Sequence, residues 1–141
     1  MNAREAFGRL VAGMRADLRD YHELRALLEA QFVAALEHRS TDICDIGERI
    51  TAQVTALEQR RRERVDLAAL LAPGNVQASM SAIADRLQGV PRKAFEECWQ
   101  ALENAVRDCK TLNMRNCRLL MDQHNLMQRV LAAEPDTYAP A

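Results

Sequence analysis

The chain is predicted to be all-α, an elongated antiparallel up-down-up bundle of three long helices with a short fourth helix in the 76–88 connection. Three observations predict this. Only five Gly and four Pro interrupt 141 residues, which leaves room for long helices. Aromatic residues are few, Trp99, Tyr21, Tyr138 and three Phe, whereas sandwiches and barrels lean on aromatic and β-branched side chains. Apolar residues recur at 4,3 spacing over long stretches, the period of helices packed on helices. At this length one domain is expected, placed at residues 1–134 with a flexible tail at 135–141.

The first helix is expected from Ala3 to about His38. Phe7, Val11, Met14, Leu18, Tyr21, Leu28, Phe32 and Ala35 form its stripe, with Arg25 as the polar interruption. Ser40, Thr41 and Asp42 then offer an N-cap and an acidic first turn. Ile43, Ile46, Ile50, Val54 and Leu57 carry the second helix, which should run to about Leu71. Pro73-Gly74-Asn75 is a turn signal, and Met80, Ile83 and Leu87 mark the short helix, ended by Gly89. Pro91 suits the first turn of the last helix, on which Phe95, Trp99, Leu102, Val106 and Cys109 keep the spacing. Continuing that count reaches Asn113, Asn116, Leu120, Gln123, Met127 and Val130, so the seam turns polar in its second half. Pro135 disfavours helix at Glu134, and the residues after it have no period.

A formal net charge of −1 provides no global field for nucleic acid or anionic lipid. The one basic run, Gln59 to Arg64, is interleaved with glutamate and reads as a solvated helix face. Neither nucleic-acid binding nor direct membrane insertion is expected. The beginning of the chain has no apolar leader and no run is long enough to span a bilayer, so a cytoplasmic location is expected.

Cys44, Cys98, Cys109 and Cys117 stand singly, without metal-ligand spacing, and read as buried or half-buried thiols. On one helix Cys109 and Cys117 would be about 12 Å apart, too far for a disulfide. His22, His38 and His124 lie on separate stretches, with no HExxH, phosphate loop or nucleophile elbow. No catalytic residue, metal or cofactor is expected.

The last helix carries more apolar surface than one stripe. Leu112, Leu119, Leu126 and Val130 line one side, while Cys117, Leu120, Met121, Met127 and Leu131 extend it around the circumference. A three-helix bundle covers only one stripe of each member, so part of this surface is expected to be free for a partner. Asn113 and Asn116 are expected to mark where the helix stops serving its own core and begins to present that surface. A buried amide that fixes register is the other reading of the same residues.

Thr111-Leu112-Asn113-Met114-Arg115-Asn116-Cys117-Arg118-Leu119-Leu120, with Tyr138 beyond, resembles the C-terminal signature of FlgN-type flagellar export chaperones. Ile50 to Arg62 is similar to that family's second helix. Two positions depart from the pattern: Cys117 stands where the family usually has Gly, and Ala139 follows Tyr138 where Gly is typical.

The resemblance implies a cytoplasmic chaperone of the flagellar type III export pathway. Its clients would be the two hook-associated proteins of the hook–filament junction, bound through their terminal helical segments. Leu112, Asn113, Asn116, Leu119, Leu120, Gln123, Leu126, Met127 and Val130 would contact the client. Tyr138 would dock on the cytoplasmic domain of the export gate. A self-associating structural coiled coil, and a nucleic-acid regulator acting through Arg60 to Arg64, are the competing readings.

Overall fold

In the computed structural model, residues 1–133 are described; Glu134, the expected tail at 135–141 and Tyr138 lie outside them. The described residues form four α-helices and no strand: α1 Ala3–Leu36, α2 Ser40–Leu71, α3 Val76–Asp85 and α4 Gly89–Ala133. At 1.5 Å per residue the long helices measure about 50 Å, 50 Å and 70 Å, with α4 the longest.

The termini have local causes. Asn2 caps α1, its side chain accepting from the Glu5 amide at 2.8 Å, and Asn75 caps α3 by accepting from Ala78 at 2.9 Å. His38 ends the first connection in the left-handed region (φ 54°), while Arg39 N–H donates to Ala34 O and His38 N–H to Ala35 O. Those two bonds are the Schellman pattern, with histidine where glycine is usual. The reversal is so tight that Ser40 is already helical. Arg39 is therefore the N-cap residue of α2, without a capping side chain, and the expected cap at Ser40 is not made. Asp42 does lie in the first turn, where Arg39 bonds it at 2.8 Å.

α1 packs against both α2 and α4, whereas the α2 and α4 backbones do not meet. Contacts with α2 run in opposite chain order: Leu67 and Ala68 cluster with Ala6 and Leu10, and Leu57 with Leu24 and Leu28. Contacts with α4 run in the same order, from Phe7 on Phe95 to Gln123 on Ala35.

Because α1 is sandwiched, its deepest residues lie between its two flanks. They are Ala6, Leu10, Met14, Asp17, Leu24, Leu28, Ala34 and Ala35. Of the stripe read from spacing, Met14, Leu28 and Ala35 lie on this line, while Phe7, Val11, Leu18 and Tyr21 flank it, partly buried. Val54, on the expected α2 stripe, is 48% exposed. Met80, Ile83, Phe95, Leu102 and Cys109 are buried as the spacing predicts.

Candidate partner-binding surface

The apolar core is not continuous along α4. A larger cluster joins α1, α2, α3 and the first half of α4 around Leu10, Met14, Met80, Phe95 and Leu102. A smaller one holds Leu24, Leu28, Leu57 and Cys109, with Leu112 packed beside it.

Beyond Leu112, amides hold α4 to α1. Asn116 is 1% exposed, and its Nδ2 donates to Leu28 O at 2.7 Å and to Gln31 Oε1 at 2.8 Å. Its Oδ1 accepts from Arg115, whose guanidinium lies 3.7 Å from the Phe32 ring centroid. Gln123 Nε2 donates to Ala35 O at 3.0 Å, in the last turn of α1, a carbonyl that also accepts from the His38 amide. Of the two readings of Asn113 and Asn116, Asn116 follows that of a buried amide that fixes register. A buried amide must be satisfied, and Asn116 uses the Leu28 carbonyl, as half-buried Gln123 uses that of Ala35. Asn113 is exposed, and its side-chain oxygen accepts from the Cys117 thiol at 3.8 Å.

α1 ends at Leu36, and α4 continues after Gln123 for residues 124–133, about 15 Å of helix. On this end Leu126 is 55% exposed, Met127 62%, Val130 52% and Leu131 62%, with Met121 63% exposed just before it. Leu112, Leu119 and Leu120 are half-buried. The site residues read from sequence therefore divide. Asn116 and Gln123 secure the helix, Leu112, Leu119 and Leu120 straddle bundle and solvent, and Leu126, Met127 and Val130 stand free.

The basic run is not a uniformly solvated face. Arg60 Nε donates to Asp17 Oδ1 at 2.6 Å and also pairs with Asp20, while Arg64 reaches Asp17 Oδ2 at 2.5 Å. Arg61 and Arg62 share Glu58 at 2.8 and 3.2 Å. Chiefly through the Arg61 hydrogen bond, the Glu58 carboxyl is lowered from its usual 4.5 to about 2. Asp17 is 1% exposed and spacing alone did not single it out. The available signal was its 3,4 spacing between Met14 and Tyr21, on the inner line of α1.

Cys109 is buried, Cys98 is half-buried, and burial pushes both thiols up. Cys44 and Cys117 are exposed, against the expectation of buried or half-buried thiols throughout. Among the described residues no group of three or more His, Cys, Asp or Glu could hold a metal, and no single helix is long and apolar enough to cross a membrane.

A helical bundle whose longest helix outruns its core and ends in uncovered Leu, Met and Val defines an all-α protein with a candidate helix-binding end. The FlgN protein family model matches residues 1–133, and the chain belongs to that family. Membership implies a role of the flagellar export chaperone kind, with flagellar substrate proteins as partners. Comparison with curated proteins and with solved structures finds no match.

Proposed function

We propose that this protein is a cytoplasmic export chaperone that holds hook-associated, hook–filament junction proteins by their terminal helical segments and delivers them to the export gate. The observation that carries the reading is the uncovered apolar end of α4, from Met121 to Leu131. In this reading α1, α2 and α4 form an elongated up-down-up bundle that serves as the rigid support. Leu126, Met127 and Val130 are the principal anchors, with Leu112, Asn113, Leu119 and Leu120 extending the surface towards the core. Asn116 and Gln123 act behind it by securing α4 to α1.

An amphipathic client helix uses anchors at i, i+3, i+4 and i+7, the spacing of Leu119, Asp122, Gln123 and Leu126 and again of Leu126, Arg129, Val130 and Ala133. Only part of each set is apolar, which favours a partner gripped by a few residues. Each Leu or Met fully buried by the client contributes about 1.5 to 3 kcal/mol, and ordering a disordered client offsets part of it. Methionine suits two different clients because its unbranched chain repacks. Tyr138 would dock on the cytoplasmic domain of the gate. The reading requires no cofactor and no catalytic step.

Calorimetric titration with the C-terminal helical segment of a hook-associated protein tests it, beside a variant carrying Leu126→Glu and Met127→Glu. Binding by the parent and its loss in the folded variant are the expected results. Absence of binding by the parent, with concentration-dependent self-association that the variant abolishes, would favour the structural coiled coil instead.

A further inference from the structure

α1 touches α2 and α4, but the α2 and α4 backbones do not meet. The α3 backbone approaches those of α2 and α4 and not that of α1, which its side chains meet only through the shared core, so α3 lies over the gap between α2 and α4. It covers only one end. Gln77 bonds Glu103 and Asp85 pairs with Arg92, so α3 runs antiparallel to α4 and its first turn is where the gap opens. There Arg64, Val76, Trp99, Leu102 and Val106 line a groove of about 390 Å³.

The α4 rim of this groove is cationic. Arg107 and Lys110 make no salt bridge among the described residues, Arg107 having only a 3.4 Å contact with Asn104. The single carboxylate beside them, Glu103, already accepts from Gln77 at 2.9 Å. The overall charge of −1 makes this a local feature.

We propose that the gap between α2 and α4 is a second docking groove, which takes an amphipathic helix of a partner protein bearing acidic residues along one edge. Its apolar face rests on Val76, Trp99 and Val106, and its carboxylates meet Arg107 and Lys110. The groove is separate from the apolar end at Leu126 to Leu131, and the inference does not depend on the client assignment made for that end.

Trp99 is the only tryptophan of the chain and lines the groove, so its emission reports occupancy. The full chain is titrated with two synthetic helical peptides of identical Leu pattern, one carrying Glu along an edge and the other Lys. The Glu peptide should shift Trp99 emission, with a Kd that rises about tenfold in the Arg107→Glu, Lys110→Glu variant. Both substitutions are at exposed positions, and circular dichroism checks that the fold is kept. Leu126→Glu should leave this Kd unchanged. The proposal is overturned by an equal response to the Lys peptide, by no Trp99 response to the Glu peptide, or by loss of binding on Leu126→Glu with none on the charge reversals. Trp99 emission that depends on protein concentration without peptide would assign the groove to a second copy of the chain and also overturn it.

Discussion

Asp17 shows how one buried charge can organise a helix pair. It lies on the inner line of α1 and is neutralised by two α2 arginines, Arg60 and Arg64, the second of which also lies over Trp99 at 5.9 Å. Arg64 Nε is buried without a partner, so the network is incompletely satisfied and is better at specifying register than at adding stability. Replacing Asp17 by Ala leaves Arg64 without a counter-charge and Arg60 with Asp20 alone, and should cost about 3 kcal/mol in urea unfolding. An unchanged midpoint would mean that solvent already screens the cluster. His38 is the opposite case, a residue in a conformation its Cβ resists. His38→Gly should raise stability by about 1 kcal/mol, because glycine adopts the left-handed C-cap without that cost.

The two halves of α4 differ as elements. Leu102 is 1% exposed within the main core, so Leu102→Ala should destabilise by about 2 to 5 kcal/mol. Leu126→Glu with Met127→Glu should stay within about 0.5 kcal/mol of the parent, since neither side chain is covered. If the pair proves as costly as Leu102→Ala, the end of α4 is packed against something in the free protein. On α2, Glu58 with its lowered pKa contributes stability above the usual carboxylate value of 4.5 and loses it as pH falls towards 2. The contribution is small because solvent screens the pair. The urea midpoints of Glu58→Gln and parent should differ slightly at pH 6 and converge as the pH is lowered to 2.

At the scale of the molecule, α1 is the common partner and stability should be graded away from it. Amide hydrogen exchange is expected to be slowest where α1 meets both α2 and α4, around Leu10 to Leu28, and to accelerate in α4 beyond Gln123. Uniform protection to Ala133 would show that the end of α4 does not open independently. A graded bundle suits a protein that keeps a rigid support and offers a separate, repackable surface.

The 4,3 spacing and the turn at Pro73 to Asn75 were legible from the chain alone because local physics decides them, whereas the caps were not: the one expected, at Ser40, is displaced by the tight reversal through His38. All-α class, α2 ending at Leu71 and the short helix at 76 follow from periodicity and turn chemistry, which depend on neighbours in sequence. The amide signature around Asn113 and Asn116 likewise pointed to the family. Spacing could not tell which side of α1 faces inward, because that depends on having two neighbours at once, and so Asp17 and its arginines went unread. Nor could it distinguish Asn113, in solvent, from Asn116, three residues on and buried against Leu28. An amide has the same chemistry at both positions, and only the path of α1, which ends at Leu36, decided which one would be covered and where α4 would be left bare.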